Sequence, residues 1–168
     1  MTRPRLRFVL TFLGVSSVLL GAYYYPEPPA PIRVFSEGVL HGYALATGSL
    51  LGAFERGVSV SGHDITGRYG LRLVKTCDAM DATILLLSAI AAWPAPWKDR
   101  IRALAISIPM LIALNIVRLF TLYYVGVYLP QCFETAHMEV WPVVMLTTLV
   151  AWFVYFAKRS NLSNEGVA

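Results

Sequence analysis

The sequence predicts an all-α polytopic membrane protein with about four transmembrane helices, both termini on the cytoplasmic side, an extracytoplasmic amphipathic helix and a short β-hairpin. Three observations predict it. Of 168 residues, 57% are hydrophobic and only 14% are charged, whereas a soluble domain carries about 25% charged residues. The deficit is concentrated in apolar runs that approach the ~20 residues needed to cross a bilayer as a helix. Most lysines and arginines lie at the ends of those runs, where they set orientation.

The elements follow in order. Arg3, Arg5 and Arg7 precede an apolar run over residues 8–25. It reads as an uncleaved signal anchor, because it ends in the interfacial belt Tyr23-Tyr24-Tyr25 and no small-x-small cleavage site precedes Pro26. Residues 26–31 hold four prolines in six positions and are expected to be a stiff extended linker, not helix. Over residues 32–54, the spacing of Val39, Leu40, Tyr43, Ala44, Leu50, Leu51 and Phe54 predicts an amphipathic helix on the membrane surface or on the other spans. His41 and the Gly/Ser/Thr content argue against a span there. Residues 58–76 are rich in β-prone side chains, and Ser61-Gly62-His63-Asp64 is a turn signal, so a hairpin leading into Cys77 is predicted. Spans are expected over 78–93, 101–128 and 138–157, joined by a tight turn at 94–100 and a polar loop at 129–136. The polar connections are too short to fold separately, so the chain reads as one integral membrane domain over residues 1–168, with an extracytoplasmic segment at 26–77.

Charge gives the topology. Arg3, Arg5 and Arg7, then Lys98, Arg100 and Arg102, then Lys158 and Arg159 all fall on one side of a four-span arrangement, the cytoplasmic side by the positive-inside tendency. The net charge of +4 therefore reports orientation and not nucleic-acid binding. Arg68, Arg72 and Lys75 are the exception, three positive charges on the far side. They are expected to meet an acidic substrate or lipid phosphates. Two cysteines exclude a disulfide scaffold, and without Cys-x-x-Cys or zinc-ligand spacing neither a metal cofactor nor thiol oxidoreductase chemistry is expected. The absence of Gly-x-Ser-x-Gly disfavours a serine protease.

The same topology collects three reactive groups. Cys77 lies at the outer start of the second span and His137 at the outer start of the last. Arg118 lies 17 residues beyond Ile101, about 26 Å along a helix and close to the far edge of a hydrocarbon core of roughly 30 Å. An arginine within an apolar run marks a functional site by default. Asn115, three residues earlier, shares its helical face. Glu134 or Glu139 is placed to fix the tautomer of His137, and Asp81 to pair with Arg118. A thiol, an imidazole that takes its proton and a cation that favours the thiolate and binds an oxyanion make a cysteine hydrolase or transferase. Two readings compete with it: a structural Cys77–Cys132 disulfide, and a non-enzymatic assembly protein with a polar network of Arg118, Glu134 and His137 between its spans.

These elements resemble the exosortase/archaeosortase family of membrane transpeptidases. The likeness rests on Cys77 opening a span, Asn115-Ile116-Val117-Arg118 on a later span and Ala136-His137 opening the final one, and it covers roughly residues 35–157. The short chain looks most like the compact exosortase H type. The resemblance implies Cys77 as nucleophile, Arg118 as oxyanion and positioning residue and His137 as acid/base. It also implies a multi-pass protein of the bacterial inner membrane with its site facing the periplasm. Its partners would be secreted proteins ending in a short motif, a transmembrane helix and a basic tail, each cleaved at the motif and passed to a surface acceptor. Many members follow the cysteine with Ser-Gly; here Asp78-Ala79 stands there.

Overall fold

The computed structural model describes residues 3–165. Met1, Thr2 and residues 166–168 lie outside the described residues, as do the side chains of residues 3–5 and 161–165. The fold is all-α apart from one small sheet. Its elements are α1 (Arg3–Tyr23), α2 (Ala30–Gly52), β1 (Ser59–Ser61), β2 (Asp64–Thr66), β3 (Leu71–Arg72), α3 (Met80–Ala92), α4 (Trp97–Tyr128), α5 (Phe133–Thr135) and α6 (Trp141–Glu165).

Among the described residues, three helical stretches are long and apolar enough to cross a membrane: Leu6–Tyr23, Trp97–Tyr128 and Pro130–Ser160. Their outward faces carry bare apolar side chains such as Val18, Ile106, Val143 and Leu146. In water such faces would associate; against lipid they are solvated. The span expected at 78–93 is the 13-residue helix α3, about 20 Å long and short of a full hydrocarbon core.

The chain divides into two compact units. The first holds α1, α3, the first part of α4 and the rest of α6 from Met145 onwards. It is packed helix against helix around aromatic rings. Phe8 meets Trp93 edge-on at 5.4 Å between centroids and stacks on Phe153 at 6.0 Å. The two indole N–H groups are satisfied by small hydroxyls, Trp93 Nε1 on Ser160 Oγ at 3.0 Å and Trp152 Nε1 on Ser107 Oγ at 2.8 Å. Each hydroxyl passes its own hydrogen to a carbonyl of its own helix, so no polar atom of these four side chains is stranded in an apolar setting.

The second unit holds residues 29–79 and 112–144. Helix α2 buries one stripe, Ser36, Leu40, Tyr43, Ala44, Thr47, Gly48 and Leu51, as its spacing requires. At 23 residues it is long, yet it is not among the helices apolar enough to span. The predicted hairpin forms with Ser61 opposite Asp64. Gly62 occupies the loop at φ +60°, the first position of a two-residue turn that wants a residue without Cβ. Two histidines tie the hairpin to α2: His41 Nδ1 donates to Gly62 O at 2.9 Å and His63 Nε2 to Glu37 O at 3.2 Å. Gly48 of α2 is smooth because a Cβ there would run into the Val60 side chain. The core of this unit joins Leu40, Leu51, Ile65, Leu71, Leu73, Leu119 and Tyr123, and it includes Cys77.

Four expectations are corrected. Ala30 and Pro31 belong to helix, because proline is tolerated in a first turn whose N–H groups have no partner anyway. Helix α4 starts at Trp97, inside the expected turn at 94–100, with the Asp99 and Arg100 amides bonded back to Pro96 O. The hairpin carries a third strand, since β3 pairs with β2 and sets Arg72 opposite Asp64. The expected loop at 129–136 is helical throughout most of its length: a 3₁₀ turn at Pro130–Cys132, then α5, then a π turn at Ala136–Val140 running into α6. Nothing in Gln131-Cys132-Phe133-Glu134-Thr135 opposes helix, and polarity alone does not make a loop.

Candidate functional site

Cys77 closes a 3₁₀ turn, Lys75–Cys77, between β3 and α3. Its amide donates to Val74 O at 2.7 Å, and its side chain is buried in the core of the second unit. The carbonyl of Cys77 accepts from Asn115 Nδ2 at 2.9 Å. A residue of α4 thereby fixes the cysteine's backbone. Arg118 follows Asn115 by three residues on the same helical face. Its Nη2 lies 3.5 Å from His137 Nδ1. His137 stands in the π turn, half-buried, with its ring stacked on Phe133 at 5.9 Å. A guanidinium only donates, so this contact fits a neutral imidazole with its lone pair on Nδ1 and its hydrogen on Nε2. The Cys77 backbone, the Asn115/Arg118 pair of α4 and His137, three places far apart in sequence, thus meet within one unit.

The polar groups here are incompletely paired. Arg118 is 7% exposed and Asn115 fully buried. Arg118 Nε and Asn115 Oδ1 are both buried without a hydrogen-bond partner. An unmet donor and an unmet acceptor, each costing about 1–3 kcal/mol, stand one helical turn apart. Tyr43 of α2 faces the same group. Burial pushes its phenol pKa up, the Asn115 amide offsets part of this, and the Asp78 carboxylate adds to the rise.

Asp78 is buried. Ala79 beside it adopts φ +54° and is 2% exposed. The left-handed region costs a residue with a Cβ about 1–2 kcal/mol. The Ser-Gly pattern of the family would carry that backbone without strain, so the departure at Asp78-Ala79 is a backbone matter as much as one of charge.

The remaining expected residues fall elsewhere. Asp81 is exposed in the first turn of α3 and forms no ion pair among the described residues. Glu134 and Glu139 likewise make no hydrogen bond or ion pair among the described residues, so the tautomer of His137 is addressed by Arg118 instead. Cys77 and Cys132 are both free, the first buried and the second exposed, and no disulfide joins them. Arg72 is held by Asp64 through two bonds of 2.7 and 2.9 Å. This bonding also holds the Asp64 carboxyl below its usual pKa. Arg68 reaches Glu55 at 3.5 Å and Tyr128 Oη at 3.1 Å, lying over the Tyr128 ring. Both arginines placed on the far side thus serve the sheet and its neighbours, and Lys75 begins the turn that carries Cys77.

Two partners escaped the sequence reading. Tyr43 is legible as one position of the apolar stripe of α2, but nothing local marks its hydroxyl as a partner for the site. Tyr123 donates to Glu55 Oε2 at 2.9 Å and accepts from the Arg68 amide at 2.9 Å. Its position eight residues after Asn115, on an adjacent part of the same helix surface, was the available signal.

The fold and these linked side chains define a polytopic helical membrane protein with a polar site buried in its apolar body. The chain belongs to the transmembrane exosortase family, whose model (Exosortase EpsH) matches residues 5–155. Comparison with curated proteins and with solved structures gives no match.

Proposed function

We propose that this exosortase-family protein is a membrane cysteine transpeptidase that cleaves C-terminal sorting signals of secreted proteins at the outer face of the bacterial inner membrane. The observation that carries the reading is the unmet pair on α4. Arg118 Nε needs an acceptor and Asn115 Oδ1 needs a donor, and a peptide group presents both a C=O and an N–H. A substrate backbone that displaces the side chains covering this face would satisfy two groups that the protein buries without partners.

In the proposed reaction, Arg118 turns from His137 Nδ1 to the substrate carbonyl, the freed Nδ1 accepts the Cys77 thiol proton, and the thiolate attacks the carbonyl carbon at the sorting motif. Arg118 neutralises the developing oxyanion. The C–N bond breaks, the leaving amine takes the proton from His137, and a thioester remains on Cys77. An acceptor nucleophile then displaces the sulfur, giving its own proton back through the imidazole. The substrates are secreted proteins ending in a motif, a transmembrane helix and a basic tail.

The second reading, an assembly protein with a polar network between helices, is favoured by the Arg118–His137 contact alone. One experiment separates the two. Cys77→Ala, Cys77→Ser and Cys132→Ala variants are expressed in the native cell, and maturation of a tail-bearing secreted protein is followed by its mobility. Loss of processing with both Cys77 variants and normal processing with Cys132→Ala is expected. Normal maturation with Cys77→Ala would overturn the enzyme reading.

A further inference from the structure

Apart from the cysteine site, the first unit contains a cavity of about 600 Å³ lined by Arg7, Phe8 and Thr11 of α1, Ala91 and Ala92 of α3, Pro94, and Arg100 of α4. We propose that this cavity binds a phosphate group, with the two arginines as its ligands and the apolar lining as the seat of whatever carries it. The proposal is independent of the chemistry at Cys77.

The charge balance motivates it. Two guanidinium groups line one cavity, and no carboxylate is among its lining residues. The nearest acid in sequence, Asp99, lies within ion-pair reach of Arg102 at 3.9 Å. Arg7 forms no hydrogen bond or ion pair among the described residues. Arg100 donates once, from Nη2 to Trp93 O at 2.8 Å, and its Nε is buried with no partner. The carbonyl holds the guanidinium in place, so its remaining Nη donors are already ordered when an anion arrives. Arginine matches phosphate oxygens through paired N–H donors. Basic pockets between helices at the cytoplasmic end of a membrane protein suit lipid head groups, and the positive-inside tendency puts Arg7 and Arg100 at that end. Phe8, Ala91, Ala92 and Pro94 offer contact to an apolar moiety, which a phospholipid has and inorganic phosphate lacks.

The full chain, purified in detergent, tests it by native mass spectrometry and thermal unfolding. The probes are phosphatidylglycerol, phosphatidylcholine, and sodium phosphate against sodium chloride at equal ionic strength. Retention of one phosphatidylglycerol in preference to phosphatidylcholine, whose phosphate is offset by its own choline, identifies an anionic lipid phosphate; stabilisation by sodium phosphate alone identifies a free one; equal retention of the two lipids overturns the proposal. In either case Arg100→Gln is expected to weaken binding about tenfold, the loss of one charge-assisted bond. Ala92→Leu fills the cavity without touching charge and is expected to weaken it comparably, which keeps the test valid if Arg100→Gln unfolds. Lys98→Gln, a nearby exposed cation outside the cavity, is expected to stay within twofold. Binding of neither probe, or equal binding by the native chain, Arg100→Gln and Ala92→Leu, overturns the proposal.

Discussion

Helix α4 carries two arginines with the same defect in different company. Arg100 in the first unit and Arg118 in the second each bury an Nε–H that has no partner. Arg100 is tethered to a backbone carbonyl and shares its surroundings with another arginine and apolar side chains. Arg118 shares its surroundings with an amide that fixes a cysteine and with an imidazole. The first setting has charge and no group that can change its proton or its bonds. The second has a ring that can change its proton, and the backbone of a cysteine is tied to the same helix face. On the two proposals, the first guanidinium would hold an anion that arrives and the second would stabilise one that forms.

Substitutions at the second setting carry the largest expected effects. Cys77→Ala should lower the rate of sorting-signal cleavage by at least about 10³-fold, because no other group can take the place of the nucleophile. Arg118→Gln should cost about 10²–10³-fold, the range for removing one oxyanion donor, with Arg118→Lys recovering part through its charge. Cleavage of a tail-bearing substrate by purified variants measures both. If Arg118→Gln cleaved at the native rate, the contrast between the two arginines would collapse.

Stability changes come next. Tyr123→Phe strips a partner from both Glu55 and the Arg68 amide and should destabilise by about 1–3 kcal/mol, read as a lower midpoint of thermal unfolding in detergent. Ala79→Gly should act in the opposite direction. It relieves a left-handed alanine worth about 1–2 kcal/mol, less the roughly 0.5–1 kcal/mol that glycine loses in chain entropy. A net gain of up to about 1 kcal/mol in the same assay is expected, and a loss would show that the alanine methyl matters more than its backbone.

The smallest effect belongs to the exposed Arg72–Asp64 pair. Arg72 lowers the folded-state pKa of Asp64. Such a group stabilises above the unfolded carboxyl pKa of about 3.9, and the contribution is lost as pH falls through the lower folded value. Asp64→Asn should therefore cause a small drop in unfolding midpoint that is constant from neutral pH to weak acid and vanishes only in strong acid. A drop that already faded near neutral pH would contradict the assignment.

What the sequence disclosed and what it withheld divide by range. Apolar runs bounded by arginines reveal α1, α4 and α6 because length and composition are local properties. Ser61-Gly62-His63-Asp64 reveals the hairpin because its turn needs a residue that accepts positive φ. Asn115 and Arg118 were legible because a single helix fixes their spacing. Leu71-Arg72-Leu73 alternates as a strand does, but its place as a third strand is not legible, since pairing with β2 is a tertiary event. Arg68 and Arg72 were read as waiting for an outside anion because Glu55 and Asp64 meet them only after the sheet has formed. Polarity masks the helical turns at 130–136, where the local residues favour helix and nothing in the composition announces it.

The π turn at Ala136–Val140 has a consequence for how His137 is aimed. A π turn accommodates a wider helical ring than its α neighbours, so the residues before it are out of phase with those after it. Deleting a single residue between 136 and 140 would let α5 and α6 merge into one regular helix. Everything on the N-terminal side would then swing by about one residue's rotation, roughly 100°, and the imidazole would turn away from Arg118. The backbone count of residues aims His137, and Arg118 and Phe133 then hold the ring where that count has put it.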